Sequence, residues 1–297
     1  MFWRRIYIIN KKGKIMSVYK DPRPGYEETK ESFRELTRFR VHDGDEEFES
    51  HQKQRLPQPP LTKSAVSGKK IKLPMNFEDL NLNSDFVALC YNRSSRRVYS
   101  GETMSLLELS FLLWATQGIK TIRGNNYATI RTVPCGGARH PFETYLVVMN
   151  IDGLEAGKYH YLPMTNEIEY LGVVENMEET VSKSLEGQTW GAKANVVFYW
   201  SMIPYRSEWR YGPTSSVHEL VDIGHVGQAL YMACEAAGLG TCGIGAFDFD
   251  LCGEMFGLDN DEEYIVYTEP VGKVKDEDKA RENDIYAFVK NEPGARN

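Results

Sequence analysis

Three short segments of this 297-residue chain combine residue types that could hold an anion or let backbone approach a ligand. The first runs Arg93-Ser-Ser-Arg-Arg97 and continues Val98-Tyr99-Ser100. Arg93 and Arg97 supply two guanidinium forks, and Ser95 a hydroxyl between them. That set suits a terminal phosphate, which takes bidentate donors and short hydroxyl bonds. A solvated basic turn would read the same way. The second segment is Pro134-Cys-Gly-Gly-Ala-Arg-His-Pro141. Its adjacent Gly136 and Gly137 allow backbone N–H groups to come close to a ligand. A strand-to-helix turn with no ligand is the plainer alternative. The third, Gly238-Leu-Gly-Thr-Cys-Gly-Ile-Gly-Ala-Phe247, alternates glycine with small residues, as a loop does that meets something flat or another chain. Gly238, Gly240 and Gly243 spell GxGxxG, but they follow a helical pattern rather than a strand, so the dinucleotide-binding context is missing.

Other chemistries find little support. There is no GxxxxGK[ST] phosphate loop, no HExxH, no Cys/His zinc spacing and no GxSxG elbow. His225, on a helical stretch, reads as a packed or interfacial residue rather than a base. Cys135 sits in a glycine turn without an identifiable base partner, so nucleophilic catalysis is not expected. The five cysteines are odd in number and form no CxxC pair, which points to free thiols in a reducing cytoplasm. The formal net charge of −7 argues against nucleic acid held over a broad face. No apolar run approaches the ~18 residues of a membrane span, so no membrane role is expected. The run Ile6–Ile9 is too short for a signal segment. Met1 and Met16 both remain candidate starts.

The elements that would position these segments follow from periodicity. Ser105-Leu-Leu-Glu108 is a capping box opening a helix whose face carries Leu109, Leu112, Leu113 and Thr116, with Gly118 as its C′ glycine. Ser216-Val-His-Glu219 reads as a second capping box, opening a helix over 217–237 that ends at Gly238. Residues 144–150, 195–200 and 264–268 are strand-like. Residues 1–76 form an extended N-terminal arm, with one short helix near Tyr26–Phe39. A packed arm anchored by Phe33, Leu36, Phe39, Ile71 and Leu73 is favoured over free disorder. Residues 77–297 form the compact α/β or α+β body.

In this order and spacing, the segments resemble the SagB-type dehydrogenases of the FMN-dependent nitroreductase superfamily, over about residues 70–275. Arg93-x-Ser95-x-Arg97-x-Tyr99 is similar to that family's RxSxRxF motif. Leu106–Gly118 is similar to its LxELSxLLWATQG helix, and Arg131–Glu143 to its RTxPSxGARHPxE loop. Asp222–Leu230 and Gly238–Phe247 are similar to its DxGHxxQNL helix and GLGTCxIGAF loop. The resemblance implies an α+β, nitroreductase-like fold: a four- or five-stranded, mostly antiparallel sheet flanked by helices. It also implies an intertwined homodimer with FMN at the subunit interface, making 77–297 an FMN-binding domain.

The resemblance further implies roles for single residues. Arg93, Ser95 and Arg97 would hold the FMN phosphate, and Lys273 would add a phosphate or ribityl contact. Pro134, Cys135, Gly136 and Gly137 would line the isoalloxazine edge. Gly243, Ile244 and Gly245 would meet the ring from the other side. Cys135 stands where the family has Ser. Trp209-Arg-Tyr-Gly212 resembles the WKYG segment of azoline oxidases, which makes Tyr211 and Arg210 the candidate catalytic pair: Tyr211 matches, while Arg210 replaces the lysine and cannot act as a base, though it could orient an anionic substrate. Three functions follow as expectations. One is a reductase with NAD(P)H as donor and a small-molecule acceptor. Another is a dehydrogenase of a modified peptide working with partner proteins. The third is a flavin-binding partner subunit without turnover.

Overall fold

The computed structural model describes residues 49–285 and two short strands nearer the N-terminus, β1 (Tyr7–Ile9) and β2 (Ile15–Ser17). These two pair antiparallel, with Ile8 opposite Met16, in a small unit spanning 1–47. The helix expected near Tyr26–Phe39 lies outside the described residues, as do the anchors Phe33, Leu36 and Phe39. The main unit begins at residue 48. Within it, Leu73 is buried in the core, and Ile71 packs against that core from strand β3 (Lys70–Lys72).

The main sheet has seven strands in the order β10-β11-β9-β6-β7-β8-β3, every neighbouring pair antiparallel. These are β6 (Phe142–Val148), β7 (Gly157–Leu162), β8 (Glu167–Gly172), β9 (Val196–Met202), β10 (Leu239–Thr241) and β11 (Tyr264–Lys273), besides β3. The sheet is thus wider than the four or five strands expected. A separate hairpin pairs β4 (Ile119–Arg123) with β5 (Ala128–Arg131).

Strands β6 and β9 are buried along their whole length. Their alternate residues feed two cores, as the two-residue period of a strand requires. Leu146, Val148, Phe198 and Trp200 face one core with α2 (Leu106–Gln117) and the 22-residue α5 (Ser215–Ala236). Tyr145, Val147, Val197 and Tyr199 face the other, with α3 (Met177–Ser184) and α6 (Phe249–Phe256). The remaining helices are α1 (Phe86–Asn92), α4 (Tyr205–Tyr211) and α7 (Asp276–Ile285).

The capping box at α2 is complete. Ser105 accepts from the Glu108 N–H, and Glu108 accepts from the Ser105 N–H. Gly118 follows the helix with extended backbone (φ −60°, ψ 133°) rather than a left-handed C′ conformation. Glycine suits that position because a Cβ would collide with the Trp114 ring. The second capping box does not form. A 3₁₀ turn at Gly212–Thr214 runs straight into α5, so Ser216 lies inside the helix and Glu219 turns inward, 3% exposed. The helix does end at Gly238, which is left-handed (φ +68°).

Strand β11 continues five residues past the expected 264–268, through Pro270. Thr268 and Pro270 turn their backbone polar groups to the same side, where Thr268 exchanges hydrogen bonds with Ile244 and the Pro270 carbonyl accepts from Thr241 Oγ1.

Candidate active site

The structure gathers the sequence-selected residues into two clusters, one on each flank of α5. The first cluster centres on Tyr231. Ser95 Oγ is 3.1 Å from the Tyr231 hydroxyl, which also accepts from the Gly243 N–H at 2.8 Å. The Arg93 guanidinium lies over the Tyr231 ring, 5.3 Å from its centroid. Arg97 lies over Trp190 at 5.7 Å. A parallel bridge between Ser95 and Thr241, with the Arg96 N–H donating to the Thr241 carbonyl, ties the Arg-Ser-Arg segment to the start of the glycine loop. Gly243 is glycine because a Cβ would collide with the Tyr267 hydroxyl.

Ile244 serves this loop from the inside. Its side chain is 4% exposed in the second core, and its N–H and C=O are both bonded to Thr268. It therefore anchors the loop while Gly245 stands in open space. Lys273 ends β11 and directs its ammonium to Glu108 Oε1 at 2.8 Å. Beneath the loop, Glu269 is fully buried. Its Oε2 accepts from Thr241, its Oε1 has no partner, and burial pushes its carboxyl well above the ordinary range.

The second cluster is the 134–141 turn. Pro134 is exposed at its start. The Gly136 N–H donates to Asp222 Oδ2 at 2.8 Å, and the His140 N–H points at Cys135 Sγ at 3.1 Å. Gly137, Ala138 and His140 all have positive φ (57°, 55° and 47°). Two non-glycine residues in that region within one turn mark a strained backbone. Burial, and then Asp222, push the Cys135 thiol up to about 12. Burial, and then Arg131, push His140 down to about 2. Both stay neutral at physiological pH.

Arg210 and Tyr211, at the end of α4, lie over this turn. A Cβ on Gly137 would come within 2.6 Å of the Tyr211 hydroxyl and 2.9 Å of Arg210 Cδ and Nε. Tyr211 packs against His218, ring centroids 4.5 Å apart. Arg210 Nη1 donates to the Tyr127 hydroxyl at 2.9 Å. Tyr127, Asp222, His218 and Tyr231 were not singled out in the sequence. Asp222 lies in a motif that was noticed, but a role for it required seeing Gly136 beside it. Among the described residues no group of His, Cys, Asp and Glu could hold a metal ion.

At 100° per residue, His218 and Asp222 project on one flank of α5, and Gly227 and Tyr231 on the other. Between the flanks runs an exposed stripe: Leu220 (60%), Val221 (54%), Gly224, His225 and Gln228. A Cβ on Gly224 would meet nothing within 4 Å.

Among the described residues no helix is long and apolar enough to cross a membrane. The Nitroreductase family profile matches residues 91–273. A Methanocaldococcus jannaschii protein named as a nitroreductase is 30% identical over 204 residues, covering 69% of this chain and 96% of that protein. The trifolitoxin-processing protein TfxB of Rhizobium leguminosarum bv. trifolii is 28% identical over 162 residues; the match spans 50% of this chain and only 43% of that protein. A Ralstonia eutropha crystal structure, also named as a nitroreductase, superposes with TM-score 0.57 at 21% identity over 74% of this chain and 95% of that one. The E. coli microcin synthetase McbBCD complex, solved with truncated pro-MccB17 bound, contains a chain with the same fold (TM-score 0.52, 18% identity, 87% of this chain and 100% of that chain). The antiparallel sheet between helix layers is the nitroreductase-like fold, and this chain belongs to the nitroreductase family.

Proposed function

We propose that this chain is an FMN-dependent oxidoreductase, nitroreductase-like, which passes a hydride through flavin N5 with NAD(P)H as donor, in the cytoplasm. The observation that carries the proposal is the pair of clusters flanking the exposed stripe of α5. One flank offers phosphate-type donors, Arg93 and Ser95 with Arg97 nearby. The other offers a glycine turn beneath Arg210 and Tyr211. The donor set fits FMN. Guanidinium and hydroxyl groups suit its phosphate, and the side-chain-free backbone at Gly245, which stands in open space, leaves room for a flat ring.

FMN, when bound, supplies the two-electron chemistry. The residues of the chain do the rest. Arg93, Ser95 and Arg97 anchor the phosphate, and Asp222 holds the 134–141 turn through the Gly136 N–H. Tyr231 holds the Gly243 loop, and burial keeps the Cys135 thiol protonated and so a poor nucleophile. Lys273, while paired with Glu108, acts by positioning β11 beside the anion-binding segment.

A homodimer follows from the same stripe. An exposed mid-helix glycine costs about 1 kcal/mol relative to alanine. Among the described residues Gly224 has no neighbour within 4 Å that would need the space. A second copy covering the stripe supplies the reason and would close the site at the interface.

A SagB-type dehydrogenase acting on a modified peptide with partner proteins is the second reading. It rests on the similarity to the trifolitoxin-processing protein and on Tyr211 lying over Gly137. The absorbance spectrum of the purified protein, followed anaerobically with NADH or NADPH, tests both. Flavin bands that bleach with the nicotinamide support the reductase. Bands that persist support the dehydrogenase or a non-catalytic partner. A colourless protein that FMN cannot reconstitute ends the proposal. Arg97→Ala should weaken FMN binding by about 1.5–3 kcal/mol, the range for a charge-assisted contact; equilibrium dialysis reads it directly.

A further inference from the structure

We propose that Arg210 makes this site select a substrate carrying a carboxylate beside its reacting end. The inference rests on the flavin-site reading above and names the substrate class for it. Arg210 is half-buried, its Nη1 donates to Tyr127 Oη at 2.9 Å, and its stem lies over Gly137 next to the Tyr211 hydroxyl. The Tyr127 hydroxyl also accepts from Gln52 Nε2 at 2.8 Å, so two donors fix it; the Arg210 guanidinium also lies over the Tyr211 ring at 5.5 Å, and neither contact supplies a negative charge.

A second guanidinium lies close by. Arg139, 3% exposed, sits over the same Tyr127 ring at 4.9 Å and over Trp209 at 5.5 Å, with Nη2 donating to the Tyr127 carbonyl and Nε to the Gly137 carbonyl. Burial first, and Arg210 with it, hold the Arg139 guanidinium below its ordinary range. Among the described residues no carboxylate forms an ion pair with either. Two acids beside the turn are engaged elsewhere: Glu143 with Arg206 at 2.6 Å and with His160, Asp222 with the Gly136 N–H. Two guanidinium groups without a counter-charge, beside a turn built for close approach, form a site whose missing partner is an anion. A guanidinium held at one N–H still presents a fork that matches a planar carboxylate.

The test is calorimetric titration of the FMN-loaded protein with benzoate, benzamide and phenyl phosphate, three probes alike in ring and different in charge. Benzoate should bind about ten- to a hundredfold tighter than benzamide, the span of one charge-assisted contact. Arg210→Gln should remove that preference. Arg210→Lys should keep part of it, and Tyr127→Phe, which frees the guanidinium from its hydroxyl, should reduce it. Equal binding of benzoate and benzamide overturns the proposal, and so does no benzoate binding at all, or a preference that survives Arg210→Gln. Phenyl phosphate binding tighter than benzoate overturns the carboxylate assignment. The flavin reading fails separately: a protein that retains no FMN or turns over no acceptor can still be titrated, and its benzoate preference still reads Arg210.

Discussion

At the scale of single residues, the sequence marks side chains by their own functional groups. Arg93, Ser95 and Arg97 stand out as phosphate-type donors, and two of them meet one residue, Ser95 at the Tyr231 hydroxyl and Arg93 over the Tyr231 ring. Residues that act by holding backbone were not legible. Asp222 takes the Gly136 N–H and Tyr231 takes the Gly243 N–H, and nothing in their own spacing announces a partner 86 or 12 positions away. Cys135 shows how burial decides reactivity. In sequence it is a thiol in a glycine turn; in the fold its ionisation is pushed up to about 12. Only thiolate reacts with alkylating agents at a useful rate. Iodoacetamide at pH 7.5 should therefore modify the exposed Cys90 and leave Cys135 intact, as peptide mass spectrometry would reveal. Labelling of Cys135 at the rate of Cys90 would contradict the burial that keeps it protonated.

At the scale of elements, the apolar strands β6 and β9 were found and the hairpin β7–β8 was not. The reason is the charged residues along it. His160 and Glu169 interrupt any apolar alternation, yet both are buried, facing each other across the register. His160 bridges Glu169 at 2.8 Å and Glu143 at 3.0 Å. The same carboxylates clamp residues 63–67: Glu143 accepts from the Lys63 N–H, and Glu169 from the N–H groups of Val66 and Ser67.

This network makes stability depend on pH. Burial alone would lower His160, but the two carboxylates raise it to about 9. Its contribution is complete below its ordinary 6.5 and is lost as pH rises through about 9. Burial alone would raise Glu143 and Glu169, but Arg206 with His160, and His160 with backbone N–H groups, hold them below the ordinary carboxylate range. Their contributions are lost as pH falls below that range. Glu219 works in the opposite sense. Burial and Glu208 raise it to about 7, so its ionisation costs stability as pH climbs from 4.5 through 7. Thermal stability should peak between about pH 5 and 6.5 and fall toward pH 9. Glu219→Gln should recover about 1–3 kcal/mol at pH 8 and much less at pH 5. Melting curves at the two pH values decide it, and an equal gain at both would mean Glu219 does not titrate in this range.

At the scale of the whole molecule, the exposed stripe of α5 is the feature a single chain leaves unexplained. Phe86, Val87 and Tyr91 on α1 are 68%, 77% and 89% exposed, which adds apolar surface for a partner to cover. Gly224→Leu tests the proposed dimer because a Cβ there would meet none of the described residues within 4 Å. The wild type should sediment at twice the 33.9 kDa chain mass, and the variant as a monomer with unchanged helix content and weakened FMN retention. A variant that stays dimeric and keeps its FMN would move the interface away from α5.

The sequence by itself determined where α2 and α5 run, and the family, because the α2 capping box, 3.6-residue periodicity and glycine spacing are local and written in order. Tertiary structure alone decided three things. Ile244 faces the core, Lys273 pairs with Glu108, and Arg210 meets Tyr127 rather than an acid. Each depends on contacts between residues far apart in the chain, and a side chain's partner and burial are set by packing rather than by its neighbours in sequence.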